Sequence, residues 1–188
     1  MTPDPDGNRW LGQNCVTPVS LREVALRWLW ALVQATIFRW SPRPLHGFRA
    51  ALLKLFGAEI TGPVVIFPTA RIMYPWRLAL ASRSMVGPHV NLYNLALIRL
   101  EFGANVSQHA HLCAGTHDFL RWDMPLVARP IVIGRNAWLG ADVFVGPGVT
   151  VGELCVVGAR SVVVKDLPPR KICAGSPCRP LRDRPLPT

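Results

Sequence analysis

Acidic side chains are scarce in this chain. Its 188 residues hold 11 Asp and Glu against 21 Lys and Arg, a net charge of +10, and only Lys54, Lys165 and Lys171 among those cations are lysines. So lopsided a balance points to an anionic partner: nucleic acid, acidic lipid or a phosphorylated small molecule. The basic residues are scattered, with neither interleaved aromatics nor a nucleic-acid motif, so nucleic acid is set aside. Half of the chain is apolar, yet no run reads as a clean membrane span. The opening Met1-Thr2-Pro3-Asp4-Pro5-Asp6 lacks a basic n-region, so no signal peptide is expected. The five cysteines (Cys15, Cys113, Cys155, Cys173, Cys178) are odd in number and lack zinc-type spacing. They are expected to be free thiols in a reducing cytosol.

What the chain does have is a period of six. Residues 133 to 168 read as six hexads opening at Ile133, Leu139, Val145, Val151, Val157 and Val163. Five of the six carry Gly next, and the fifth position is small or apolar: Ala137, Val143, Val149, Cys155, Ser161, Leu167. A period of six fits neither a free helix nor an alternating strand. It fits a solenoid whose unit is a short strand plus a corner, three units closing one triangular coil. The opening aliphatic points inward, its neighbour at the fifth position packs beside it, and Gly supplies the close-fitting corner. The expected fold is mainly β, a left-handed parallel β-helix.

The same phase runs earlier in weaker form. Hexads open at Ile60, Ile66 and Ile72, at Leu80, Val86 and Leu92, and at Leu100, Val106 and Leu112, with Leu78-Ala79 and Ile98-Arg99 read as two-residue insertions. Three coils precede a break and two follow it, about five in all. Residues 118 to 132, with Arg121, Trp122, Asp123, Pro125 and Pro130, leave the repeat as one external loop, and loops on solenoids often line the binding face. The expected organisation is an N-terminal segment (1–58), the β-helix (59–170) and a basic tail (171–188). Residues 1 to 17 read as loosely ordered. Ser20 with Glu23 gives the capping-box pattern for a helix running to about Trp40, and Ser41-Pro42-Arg43-Pro44 breaks it. A second helix covers about Leu45 to Phe56, closed by Gly57. The first helix has two readings: it packs across the end or side of the solenoid, or it lies on a membrane surface with Trp and Leu inward and Arg at the headgroups.

The run Ile131-Val132-Ile133-Gly134-Arg135-Asn136-Ala137-Trp138-Leu139-Gly140, the segment Gly146-Pro147-Gly148-Val149-Thr150-Val151-Gly152, the step Val164-Lys165-Asp166 and the closing Ala174-Gly175-Ser176-Pro177-Cys178-Arg179 are similar to the hexapeptide-repeat O-acetyltransferases of galactoside, maltose and nodulation factors. Leu92-Tyr93-Asn94-Leu95 and Leu112-Cys113-Ala114-Gly115-Thr116-His117-Asp118 resemble the colanic-acid-biosynthesis subgroup, and the likeness covers about residues 20 to 184.

The resemblance implies that His117 is the general base, and an imidazole suits proton removal from an attacking hydroxyl near neutral pH. Asn94 is expected either to bind the acceptor or the oxyanion or to bond its stacked neighbours inside a turn, and Asp118 to orient His117. The resemblance implies that Trp138 walls the pantetheine arm and that Ala141 and Ala159 let backbone groups approach the cofactor. By the same resemblance Lys165, Arg179 and Arg182 are expected to meet the charged end of coenzyme A, since point charge and bidentate contact suit phosphate. Val164 stands where relatives often have Thr, so one hydroxyl contact is missing there. Ile98-Arg99 replaces an acidic insertion of the galactoside enzymes, so their sugar specificity is not carried over.

The implied protein is an acetyl-CoA-dependent O-acetyltransferase of a saccharide, an exopolysaccharide or lipid-linked precursor. It would be a cytoplasmic homotrimer, at the inner face of the membrane if residues 20 to 40 touch lipid, and without a metal. Three other readings stay open. His89, His109, His111 and His117 raise a zinc site as in the γ-class carbonic anhydrases. Cys113 raises a covalent acetyl intermediate. The third is a membrane-associated scaffold without catalysis.

Overall fold

The computed structural model describes residues 20–185; Cys15 and the segment 1–17 lie outside them. From Glu59 on, short strands wind a three-faced β-helix. The first face stacks Glu59–Thr61, Leu78–Ala81, Ile98–Leu100, Ile131–Ile133 and Thr150–Val151. The second stacks Val65–Ile66, Met85–Val86, Asn105–Val106, Trp138–Leu139, Val156–Val157 and Lys171–Gly175, the last closed by the antiparallel strand Cys178–Asp183. The third stacks Arg71–Ile72, Asn91–Tyr93, His111–Cys113, Phe144–Val145 and Val162–Val163.

The hexad openers set the register. Ile60, Leu80, Leu100, Ile133 and Val151 form one inner file. Ile66, Val86, Val106, Leu139 and Val157 form the second, and Ile72, Leu92, Leu112, Val145 and Val163 the third. All are buried. Each such side chain contributes on the order of 1.5–3 kcal/mol relative to leaving it in water. The five coils expected are followed by part of a sixth: Leu167 continues the first file beneath Val151, and Cys173 the second beneath Val157.

The two supposed insertions sit elsewhere. Leu78 and Ile98 pair with each other and are buried beside Leu80 and Leu100. They take the inner position two residues before an opener. The surplus residues lie in the preceding corners, where Pro75–Arg77 makes a 3-10 turn and residues 94–97 bend.

The corners also divide their work differently from expectation. The left-handed backbone falls on the fourth hexad position, at Arg83, His89, His109, Asn136, Asp142, Leu154 and Arg160 (φ 53 to 63°). The Gly at the second position answers to close approach instead: a Cβ on Gly140 would stand 2.8 Å from the Ala159 nitrogen one coil on.

Helix α1 (Leu21–Val33) runs into a π-helical turn at Gln34–Phe38, and α2 (His46–Leu55) follows. The Ser20 hydroxyl accepts from the Glu23 amide, but the Glu23 carboxylate pairs with Arg77 at 2.9 Å. The helices cover the exposed rim of the first coil. Trp30 Nε1 donates to the Ile72 carbonyl (2.7 Å) and Gln34 Oε1 accepts from the Ile72 amide (2.7 Å). Arg49, fully buried, donates through Nε to the Ile66 carbonyl (2.6 Å) and through its terminal nitrogens to Ser41 Oγ and to the Pro42 and Arg43 carbonyls. Burial holds its pKa below the usual arginine range. Trp30 packs against Phe38 and Phe56. The first helix therefore packs on the solenoid, with polar side chains turned toward the sheet and an apolar ridge of Leu21, Ala25, Trp28 and Leu32 facing outward.

Candidate active site

After the third face of the third coil the chain leaves the prism. Gly115–His117 pairs antiparallel with Leu126–Ala128, and the hairpin returns at Ile131 beside Ile98. His117, exposed, stands opposite Leu126 near the tip. Its Nδ1 lies 2.7 Å from the Met124 carbonyl oxygen. A carbonyl only accepts, so in the neutral ring Nδ1 carries the proton and Nε2 the lone pair. Met124 has φ of 39°, which turns its carbonyl toward the ring. Asp118 instead shapes the turn: its Oδ1 accepts from the Leu120 amide (3.1 Å) and its own amide donates to the Pro125 carbonyl (3.0 Å). Arg121 and Asp123 close the tip with a bidentate pair at 2.9 and 2.7 Å.

Asn94 takes the turn role, not the acceptor or oxyanion one. It is fully buried, and its Oδ1 accepts from the Met73 and Tyr74 amides while Nδ2 donates to the Tyr74 and Arg77 carbonyls. Both donors and both lone pairs are used, leaving nothing to offer an oxyanion. The residue staples the enlarged corner of the coil before it.

Trp138 lies on the second face, 47% exposed, with Nε1 donating to Ser107 Oγ at 2.8 Å. That bond lays the indole against the sheet as a fixed wall. Ala141 and Ala159 follow at the next corner, one coil apart, joined by the Arg160 amide donating to the Ala141 carbonyl (2.8 Å). Arg179 and Arg182, both exposed, belong to the strand that closes this second face. Val164 (54% exposed) and Lys165 leave the third face of the fifth coil. Among the described residues Lys165, Arg179 and Arg182 have no acidic partner.

The chain thus gathers Trp138, Ala141, Ala159 and the two arginines along one edge of the prism. His117 and the Val164-Lys165 step stand at the other edge of the third face. The third face lies between His117 and Trp138. Met124 and Ser107, which position the imidazole and the indole, had no readable signal, because one acts through a backbone carbonyl and the other is an ordinary corner serine.

The imidazoles divide likewise. His89 and His109 stack with centroids 4.9 Å apart and planes 3° off parallel. His111 sits edge-on to Phe144 and Tyr93, its Nε2 is buried without a partner, and burial pushes its pKa down. Among the described residues no three His, Cys, Asp or Glu converge as metal ligands. Cys113 Sγ donates to the Gly115 carbonyl (3.2 Å). Cys155 and Cys173 are buried 3.6 Å apart with both thiols pushed up by burial, and both are free.

Comparison with known proteins adds to this geometry. The family model described as bacterial transferase hexapeptide (six repeats) matches residues 130–165. The Escherichia coli (strain K12) protein named "Putative colanic acid biosynthesis acetyltransferase WcaF" is 50% identical over 156 residues, 83% of this chain and 86% of that one. The hexapeptide-repeat acetyltransferase VCA0836 of Vibrio cholerae O1 biovar eltor, solved with acetyl coenzyme A, is 26% identical with a TM-score of 0.77 over 89% of this chain and 91% of that one. A galactoside acetyltransferase solved with coenzyme A, 24% identical, shares the fold with a TM-score of 0.77 over 89% and 84%. A three-faced coil in strict hexad phase, a hairpin carrying one oriented imidazole and a half-identical relative over most of both lengths agree: this chain belongs to the hexapeptide-repeat acetyltransferases.

Proposed function

We propose that the protein transfers the acetyl group of acetyl-CoA to a hydroxyl of a saccharide, an exopolysaccharide unit or its lipid-linked precursor. The observation that carries this reading is His117, exposed on the hairpin with Nδ1 held by the Met124 carbonyl. Its Nε2 takes the proton of the acceptor hydroxyl as oxygen attacks, and returns it to the departing thiolate. Acetyl-CoA supplies the activated acyl group. The chain fits that molecule: Trp138 offers a fixed wall, Ala141 and Ala159 a smooth corner, Val164 an exposed apolar step, and Lys165, Arg179 and Arg182 cations with no acidic partner among the described residues. Because His117 and Trp138 lie at different edges, the complete site needs a second chain, and a closed homotrimer supplies it three times.

The outward ridge of α1 supports peripheral membrane contact, with the enzyme on the cytoplasmic side where acetyl-CoA is made. No helix among the described residues is long and apolar enough to cross a membrane, so contact would be interfacial. The test of the base is His117→Ala, expected to lower turnover roughly 10²–10⁴-fold with an unchanged KM for acetyl-CoA. Turnover at the wild-type level, followed as acetyl gain on candidate glycans by mass spectrometry, would remove the assignment.

A further inference from the structure

A cavity of about 530 Å³ lies between the end of the first helix and the corner of the first two coils, lined among others by Gln34, Arg39, Trp40, Thr69, Arg71 and His89. No acidic side chain among the described residues lines it. Arg39 and Arg71 are exposed and have no ion-pair partner among the described residues. Two acceptors in the lining are already used: Gln34 Oε1 accepts from the Ile72 amide, and Thr69 Oγ1 from the His89 amide at 2.9 Å. The His89 ring is held in place by its stack on His109. Two guanidinium groups without an acidic partner among the described residues, beside an imidazole N–H, are the donor set of an anion site, and guanidinium forks suit phosphate oxygens.

Position gives the site its meaning. Thr69, His89, His109 and Ala141 follow one another up a single edge of the prism, the edge that carries Trp138 and Ala159 above. From the cavity at the first and second coils to Ala141 at the fourth is two to three rungs, about 10–15 Å at the ~4.8 Å strand spacing. We propose that Arg39, Arg71 and His89 bind the phosphate or diphosphate of an anionic acceptor, a glycosyl phosphate whose sugar reaches up the edge to the acetyl donor. This rests on the acetyl-transfer reading and names its acceptor class. The two sources of that chemistry are a polyprenyl-linked saccharide, whose tail would follow Trp40 and the apolar ridge of α1, and a soluble nucleotide sugar.

The test needs no turnover, so its failure is separate from failure of the acetyltransferase reading. Inorganic diphosphate is titrated calorimetrically into the full chain in saturating coenzyme A, which occupies the cationic end of the cofactor site. Binding is expected in the wild type and about 10- to 100-fold weaker in R39Q/R71Q, with R22Q/R43Q as a surface-charge control that keeps wild-type affinity and the circular dichroism of each variant confirming its fold. Equal affinity in R39Q/R71Q and wild type, or no binding by the wild type, would overturn the site. Sedimentation with phosphatidylcholine vesicles carrying polyprenyl diphosphate, lost in R39Q/R71Q, assigns the lipid-linked source. Binding of a nucleoside diphosphate sugar at the same residues without vesicle binding assigns the soluble one.

Discussion

Two imidazoles show how neighbouring histidines are given opposite tasks. His117 sits on an exposed hairpin, where a carbonyl partner fixes which nitrogen is basic. His111 sits two residues before the strand end on the third face, against Phe144, with a buried and unpartnered Nε2. Its charged form would lose water and gain no acceptor, so folding holds its pKa below the ordinary value of ~6.5. The unfolded chain therefore takes up this proton first as pH falls, and stability is lost below about pH 6.5 toward the folded value. His111→Asn is expected to flatten the fall in thermal midpoint between pH 7 and 5 relative to wild type, as read by scanning calorimetry. An equal slope in both proteins would assign the acid sensitivity to other groups. The same scale shows where sequence reading stops. His117 was legible as an imidazole before a loop, but its orienting partner is a main-chain oxygen, which has no residue signature. Asn94 had the right type for either an oxyanion or a corner staple, and only its four bonds decide for the staple.

At the level of elements, the coils were almost fully readable because every opener must be aliphatic to fill the prism, and register follows from that alone. The surplus residues fall in the corner because Leu78 and Ile98 keep the inner position two residues before Leu80 and Leu100 apolar. The helices were harder. The inner face of the first helix is mixed, since Glu23, Arg27 and Gln34 meet Arg77, Tyr74 and the Ile72 backbone beside Leu26, Trp30 and Val33, while Leu21, Trp28, Leu29 and Leu32 face out. Two measurements address this. Arg49→Met strips the donors from the Ile66, Pro42 and Arg43 carbonyls and is expected to cost roughly 2–4 kcal/mol in denaturant unfolding; a loss under about 0.5 kcal/mol would show that water replaces it without penalty. Trp28→Ser with Leu32→Ser removes the centre of the outer ridge (68% and 62% exposed). It is expected to reduce flotation with anionic vesicles about tenfold or more while leaving the melting temperature near wild type. Unchanged flotation would argue for a protein partner on that ridge.

For the molecule as a whole, the separation of His117 from Trp138 makes a prediction about mixtures. If each site takes the imidazole from one chain and the indole with its cationic strand from a neighbour, His117→Ala and Trp138→Ala chains refolded together at equal amounts regain about a quarter of wild-type activity, because one interface in four draws both intact halves. A site confined to one chain would regain none. The two ends of the prism carry a further consequence. Any stack of parallel strands leaves unpaired amides and carbonyls at its first and last rung, an invitation to add another copy. Here Trp30, Gln34 and Arg49 take up the Ile72 amide and carbonyl and the Ile66 carbonyl at one end, and the returning strand Cys178–Asp183 pairs with the last strand of the second face at the other. On the second face a copy stacking end to end would thus meet a helix cap at one end and an antiparallel strand at the other, and neither matches the parallel ladder.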